Sequence, residues 1–199
     1  MNILIDLLPA KVRIDGVEYE INSDFRTSIL FEIMMQDRDL DDKSKIVQAL
    51  DLYYSKIPCN VEKAIDEILW FYKCGKEEDS LKAKGNLKAV NIYSYDYDAE
   101  YIYSAFLDQY GVDLQDIEFL HWWKFKAMFK SLKEDNEIVK IMGYRAIDIS
   151  KIKDKAQREH YKKLKEMYKI PSVLTKDEKE KLDAIREALS NSKNVDNVL

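Results

Sequence analysis

The sequence predicts a mainly α-helical, bundle-like protein with a short N-terminal β-hairpin, and three observations carry that reading. Only five glycines and three prolines punctuate 199 residues, too few for the many turns of an all-β sandwich. Apolar residues recur at helical spacing through most segments, within a composition of 46% hydrophobic and 35% charged residues. The segment Lys11 to Ile21 instead alternates apolar and polar residues on either side of Asp15-Gly16, a dipeptide suited to the positive φ angles of a two-residue hairpin turn. Two strands alone are marginal in water, so this hairpin must pack on the helices that follow.

The elements follow in order. Asn22, Ser23 and Asp24 offer N-caps for a helix carrying Phe25, Ile29, Leu30, Ile33 and Met34, ending near Asp37. A second helix carries Ile46, Val47, Leu50, Tyr53 and Tyr54 and is stopped by Pro58. Asn60 caps a third, with Val61, Ala64, Ile65, Ile68, Leu69 and Tyr72 inward and Gly75 at a left-handed C-terminal cap. In the second half, Asp96 or Asp98 caps a helix through Ala99, Ile102, Tyr103, Phe106 and Tyr110, closed by Gly111. Asp113 or Asp116 caps a strongly apolar helix, 117–132, the buried centre of its half. Asp135 caps a short helix broken by Gly143, and Ser150 begins a longer one ended by Pro171. Thr175-Lys-Asp-Glu178 is a capping box for a last helix. These elements group as a hairpin-plus-helices half (1–75), a charged linker (76–92), an aromatic-rich helical half (93–171), and a C-terminal helix with a flexible tail (172–199).

Several classes of function are disfavoured. No window approaches ~18 uninterrupted apolar residues, and the first residues lack the basic start and apolar core of a signal peptide, so no membrane partner is expected. Cys59, Cys74, His121 and His160 match no zinc spacing, and no phosphate-cradling glycine loop or nucleophile motif occurs, so neither metal, cofactor nor catalytic residue is named. The net charge of −5 argues against general nucleic-acid binding.

The 23 aromatic residues are unevenly placed: twelve lie between Tyr93 and Phe129. Residues 95 to 118 also hold seven carboxylates and no Lys or Arg. Rings supply area that can be desolvated while carboxylates steer, so this region suits a basic, amphipathic partner helix. The candidate partner-binding residues are Trp70, Tyr95, Asp96, Tyr97, Asp98, His121, Trp122, Trp123, Lys124 and Phe125. Each ring is also a candidate for core. The run His121-Trp122-Trp123-Lys124 admits a single-strand stacking platform, but the acidic block before it is the wrong field for nucleic acid. Residues 151 to 169 carry eight basic and three acidic groups, a solvated face that can balance the acidic segment within one chain or between copies.

Read together, Val12-Arg-Ile-Asp-Gly16, Ile21-Asn-Ser-Asp-Phe-Arg26, Phe71-Tyr-Lys-Cys-Gly75, Tyr95-Asp-Tyr-Asp-Ala-Glu-Tyr-Ile-Tyr-Ser-Ala-Phe106, Tyr110-Gly-Val-Asp-Leu114, Leu120-His-Trp-Trp-Lys-Phe125 and Ile141-Met-Gly-Tyr-Arg145 resemble the bacteriophage gene-product-fifteen family, over about residues 11 to 171. The resemblance implies a non-enzymatic phage or prophage tail-module protein. It implies a tail assembly chaperone or adaptor, in the host bacterial cytoplasm during assembly, whose partners are the tape-measure protein and the tail-tube protein, with self-association open. The alternatives are a nucleic-acid-binding protein or a minor structural component of the virion tail.

Overall fold

A computed structural model describes residues 2–76 and 91–171 of the chain. Most of the 76–92 linker, and the C-terminal helix and tail expected in 172–199, lie outside the described residues. Elsewhere the expected fold class is the observed one: seven helices among the described residues and a two-stranded antiparallel hairpin.

Strands β1 (Lys11–Ile14) and β2 (Val17–Glu20) pair in the register Val12 to Tyr19 and Ile14 to Val17. Asp15 and Gly16 take φ of 48° and 82°, the left-handed pair of a primed hairpin turn. Val12 and Ile14 are buried while Lys11 and Arg13 face solvent, the period-two pattern of a strand with one covered face. The turn is fixed to the rest of the chain by Asp15, whose carboxylate accepts hydrogen bonds from Asn60 (2.8 Å) and from the Lys63 ammonium. Both come from the start of the helix Val61–Tyr72.

Helices α1 (Phe25–Gln36), α2 (Asp42–Tyr53) and α3 (Val61–Tyr72) pack in sequence, capped by the side chains of Asp24, Asp41 and Asn60. Leu50, Tyr53 and Tyr54 turn inward as expected, whereas Ile46 and Val47 are exposed. The phenols of Tyr53 and Tyr54 are satisfied: Tyr53 shares a 2.8 Å hydrogen bond with Ser28, and Tyr54 donates to the Ala64 carbonyl at 2.9 Å.

The second half corrects the sequence reading at four helix starts or breaks. Helix α4 (Ala99–Tyr110) ends on Gly111 in the left-handed region, as expected, but the Asp98 side chain makes no cap bond. It turns inward to Arg145. Helix α5 is shorter than the 117–132 segment expected, spanning Trp122–Lys130, and its cap is His121 instead of Asp113 or Asp116. The reason is competition for backbone: Phe25 N–H donates to the Leu120 carbonyl at 2.9 Å, and Trp122 N–H donates to Ser23 at 2.8 Å. His121 is thereby held extended against Asp24. Helix α6 (Glu137–Ala146) starts after Asn136, not Asp135, and runs through Gly143, where a Cβ would meet nothing within 4 Å. Ser150 lies in a 3₁₀ turn (Ile149–Lys151), and Asp154 caps α7 (Lys155–Met167), which ends before Pro171 is reached.

Helix α5 is the centre of a hydrophobic core drawn from both halves of the sequence, from Val12 to Ile138. Phe125 stacks on Phe25 at 5.0 Å and on Phe106 at 4.9 Å between ring centres, joining α1, α5 and α4 in one aromatic column.

Candidate functional site

Six of the ten candidate partner-binding residues are core: Tyr95, Asp98, His121, Trp122, Trp123 and Phe125 are all buried. The two adjacent tryptophans have one shared task. Carbonyls in the last turn of a helix lack intrahelical donors, and at the end of α3 the indole N–H of Trp122 donates to Tyr72 (2.9 Å) and that of Trp123 to Phe71 (2.8 Å). Trp122 stacks on Tyr72 as well, at 5.5 Å. A stacking platform for nucleic-acid bases needs exposed ring faces, and these two indoles have spent both face and edge inside the protein.

His121 is likewise structural. Its Nδ1 accepts from Trp123 N–H at 3.1 Å, so Nε2 carries the proton and donates to the Pro9 carbonyl at 3.1 Å. Burial lowers its pKa from the ordinary histidine value, keeping it in this neutral, two-handed role.

Trp70, Asp96, Tyr97 and Lys124 remain at the surface, but not as one constellation. Trp70, 36% exposed, lies edge-on to Trp123 at 5.6 Å, and Tyr97 stands beneath the Arg145 guanidinium. Gly75 closes the tryptophan corner: it has φ of 67°, and a Cβ there would lie 2.9 Å from the Trp123 ring. Gly75→Ala is expected to cost about 1–3 kcal/mol of stability in urea unfolding, since strained backbone and overpacking add.

Two polar features were not legible in the sequence. One is the ion pair between Asp98 and Arg145, closed by contacts of 2.6 and 2.9 Å with both side chains buried. The other joins Glu32, Tyr72, Tyr93, Tyr95 and Lys126. Tyr72 donates to Glu32, and the Lys126 ammonium sits 5.0 Å from the Trp122 ring centre and 3.5 Å from the Tyr93 hydroxyl. Burial pushes the Tyr93 phenol up to about 12, raises those of Tyr72 and Tyr95 further, and lowers the Lys126 ammonium. The phenols therefore stay protonated at neutral pH. Charges from 94 positions apart meet here, a convergence that no local spacing could announce.

What the surface offers a partner lies on α1. Leu30 is 53% exposed on its outer side. Leu30 separates two apolar depressions: one of about 430 Å³ toward α4, lined by Phe25, Ile29, Ile102 and Leu114, and one of about 450 Å³ toward α2, lined by Ile33, Met34, Leu40 and Leu52. Asp37 and Asp51 edge the second. The sequence signal was the breadth of the α1 apolar face, wider than one covered side needs.

The fold thus defines a helical, hairpin-headed protein built round an aromatic column, with a saddle-shaped apolar surface over its first helix. The chain belongs to the family described as Bacteriophage Gp15 protein, which it matches over residues 4–170. It is a phage protein. No curated protein and no solved structure matches the chain. No helix among the described residues is long and apolar enough to cross a membrane.

Proposed function

We propose that this phage protein acts without catalysis as a tail morphogenesis factor: a chaperone or adaptor in the host bacterial cytoplasm that holds an amphipathic helix of the tape-measure protein until the tail tube encloses it. The observation that carries this reading is the α1 saddle, where exposed Leu30 stands between two apolar depressions. A helix laid across such a saddle buries side chains at i, i+3 and i+4 spacing on either side of Leu30. Carboxylates at the edge favour a helix with basic flanks.

The test is co-expression of the full chain with fragments tiled across the tape-measure protein encoded in the same phage, followed by size-exclusion chromatography. One fragment is expected to co-elute and to gain solubility. Leu30→Asp and Leu30→Arg, both surface changes that leave the circular dichroism spectrum unaltered, are expected to reduce co-elution about tenfold or more, as charges placed in an apolar contact do. Failure of every fragment to bind, or binding indifferent to both substitutions, would overturn the reading.

A further inference from the structure

The acidic segment and the basic segment of this chain are both left electrostatically unspent. Between residues 95 and 118, Asp98 is consumed by Arg145 and Asp113 accepts from Tyr103 and the Gln115 N–H. The other five carboxylates, Asp96, Glu100, Asp108, Asp116 and Glu118, are exposed, and none has an ion-pair partner among the described residues. Glu100 and Asp108 lie on α4 with exposed Tyr101 and Leu107, and Asp96 and exposed Tyr97 just precede it, so the outer face of this helix is aromatic and apolar as well as acidic.

Helix α7 and the turn before it present the opposite sign. Lys151 and Lys169 pair with Asp148 and Glu166, and Lys165 and Arg158 donate to backbone carbonyls. That leaves Lys153, Lys155, Lys162 and Lys163 exposed and without a carboxylate among the described residues. No residue of α7 is fully buried, and Met167 is 69% exposed beside these lysines. The helix is attached to the fold through the half-buried Tyr161, Leu164 and Lys165, and no described residue covers its outer side, where exposed Glu159 is the one carboxylate among Lys155, Lys162 and Lys163.

We infer that the outer face of α7 docks onto the outer face of α4 of a second copy of this chain. The faces are opposite in sign, Glu100 and Asp108 on α4 against Lys155, Lys162 and Lys163 on α7, and each carries exposed apolar atoms to be desolvated. Like charge repels α7 from α7 and α4 from α4, which selects the unlike pairing. Reciprocal pairing closes a two-fold dimer, and one-way pairing generates a ring or an open array. The surface is separate from the α1 saddle, so this inference stands or falls independently of the tape-measure reading.

Sedimentation velocity of the full chain tests it. At about 50 mM salt the protein is expected to self-associate, and at about 500 mM to dissociate, because exposed charge pairs are screened at the higher ionic strength. Lys155→Glu/Lys162→Glu/Lys163→Glu is expected to weaken association about tenfold or more, as is Glu100→Lys/Asp108→Lys, with both variants folded by circular dichroism. Mixing the two charge-reversed variants sets the wild-type acidic α4 of the first against the wild-type basic α7 of the second, and the new acidic α7 against the new basic α4, so hetero-association is expected where neither variant self-associates. A monomer at all salt concentrations, association indifferent to both reversals, or no recovery on mixing would each overturn the inference.

Discussion

Trp122→Ala is expected to lower the unfolding free energy by about 3–5 kcal/mol, the largest loss of any single apolar truncation in the chain. The side chain is fully buried, stacks on Tyr72 and Phe125, and supplies the donor for the Tyr72 carbonyl at the end of α3. Alanine removes all three contributions and opens a cavity between α3, α5 and Tyr95. Domains of this kind have only about 5–15 kcal/mol in total, so a large share of the variant is expected unfolded at 37 °C. Trp122→Phe separates the parts: most ring contact survives, the Tyr72 carbonyl loses its donor, and about 1–3 kcal/mol should be lost. Urea denaturation followed by far-ultraviolet circular dichroism measures both. An alanine variant within about 1 kcal/mol of wild type would mean that the aromatic column is not what holds the two halves together.

The second large effect concerns the Asp98–Arg145 pair. Removing one partner of a buried pair strands the other charge, at a cost of about 3–5 kcal/mol, and either Asp98→Ala or Arg145→Met is expected to fall in that range. Replacing both, as Asp98→Leu/Arg145→Met, leaves no stranded charge, so the double variant should lose markedly less than the sum of the singles. Recovery will not be complete. The Arg145 guanidinium also donates to the carbonyls of Ile92 (3.1 Å) and Tyr168 (2.5 Å), and these acceptors are orphaned in any variant without it. A double-mutant cycle measures the coupling, and simple additivity would show that the two side chains do not act as a pair.

Local chemistry made much of this molecule legible. The Asp15-Gly16 turn, the Asp24 and Asn60 caps and the left-handed Gly75 and Gly111 all follow from rules that operate within a few residues, and the structure has them where the sequence put them. Errors arose where a distant segment competed for the same groups. Asp98 has a capping residue's position, but a guanidinium 47 residues away takes its carboxylate. Residues 117–121 have helical periodicity, yet the Phe25 N–H takes the Leu120 carbonyl and the Ser23 carbonyl takes the Trp122 N–H.

The candidate site shows the same division more sharply. Aromatic density correctly marked where the chain concentrates its contacts. It could not mark which rings face outward, because Trp122 and Trp123 look alike in sequence whether they face solvent or complete the end of α3. The α1 saddle was the less conspicuous signal, an ordinary run of Ile, Leu and Met whose far side stays uncovered once Phe25 and Phe31 have turned inward.

The short extended contact between residues 23–25 and 120–122 bears on the order of events during synthesis. Its partners are almost a hundred positions apart, so α1 emerges from the ribosome and waits, at ordinary translation speed, several seconds or more for the segment that completes its inner face. For that interval Phe25 has no Phe125 to stack on, and the end of α3 has no indoles to close it. Closing so long a loop is also a slow step in chain collapse. The newborn first half is therefore the form of this protein most exposed to misassociation, and it becomes self-sufficient only when His121-Trp122-Trp123 arrives.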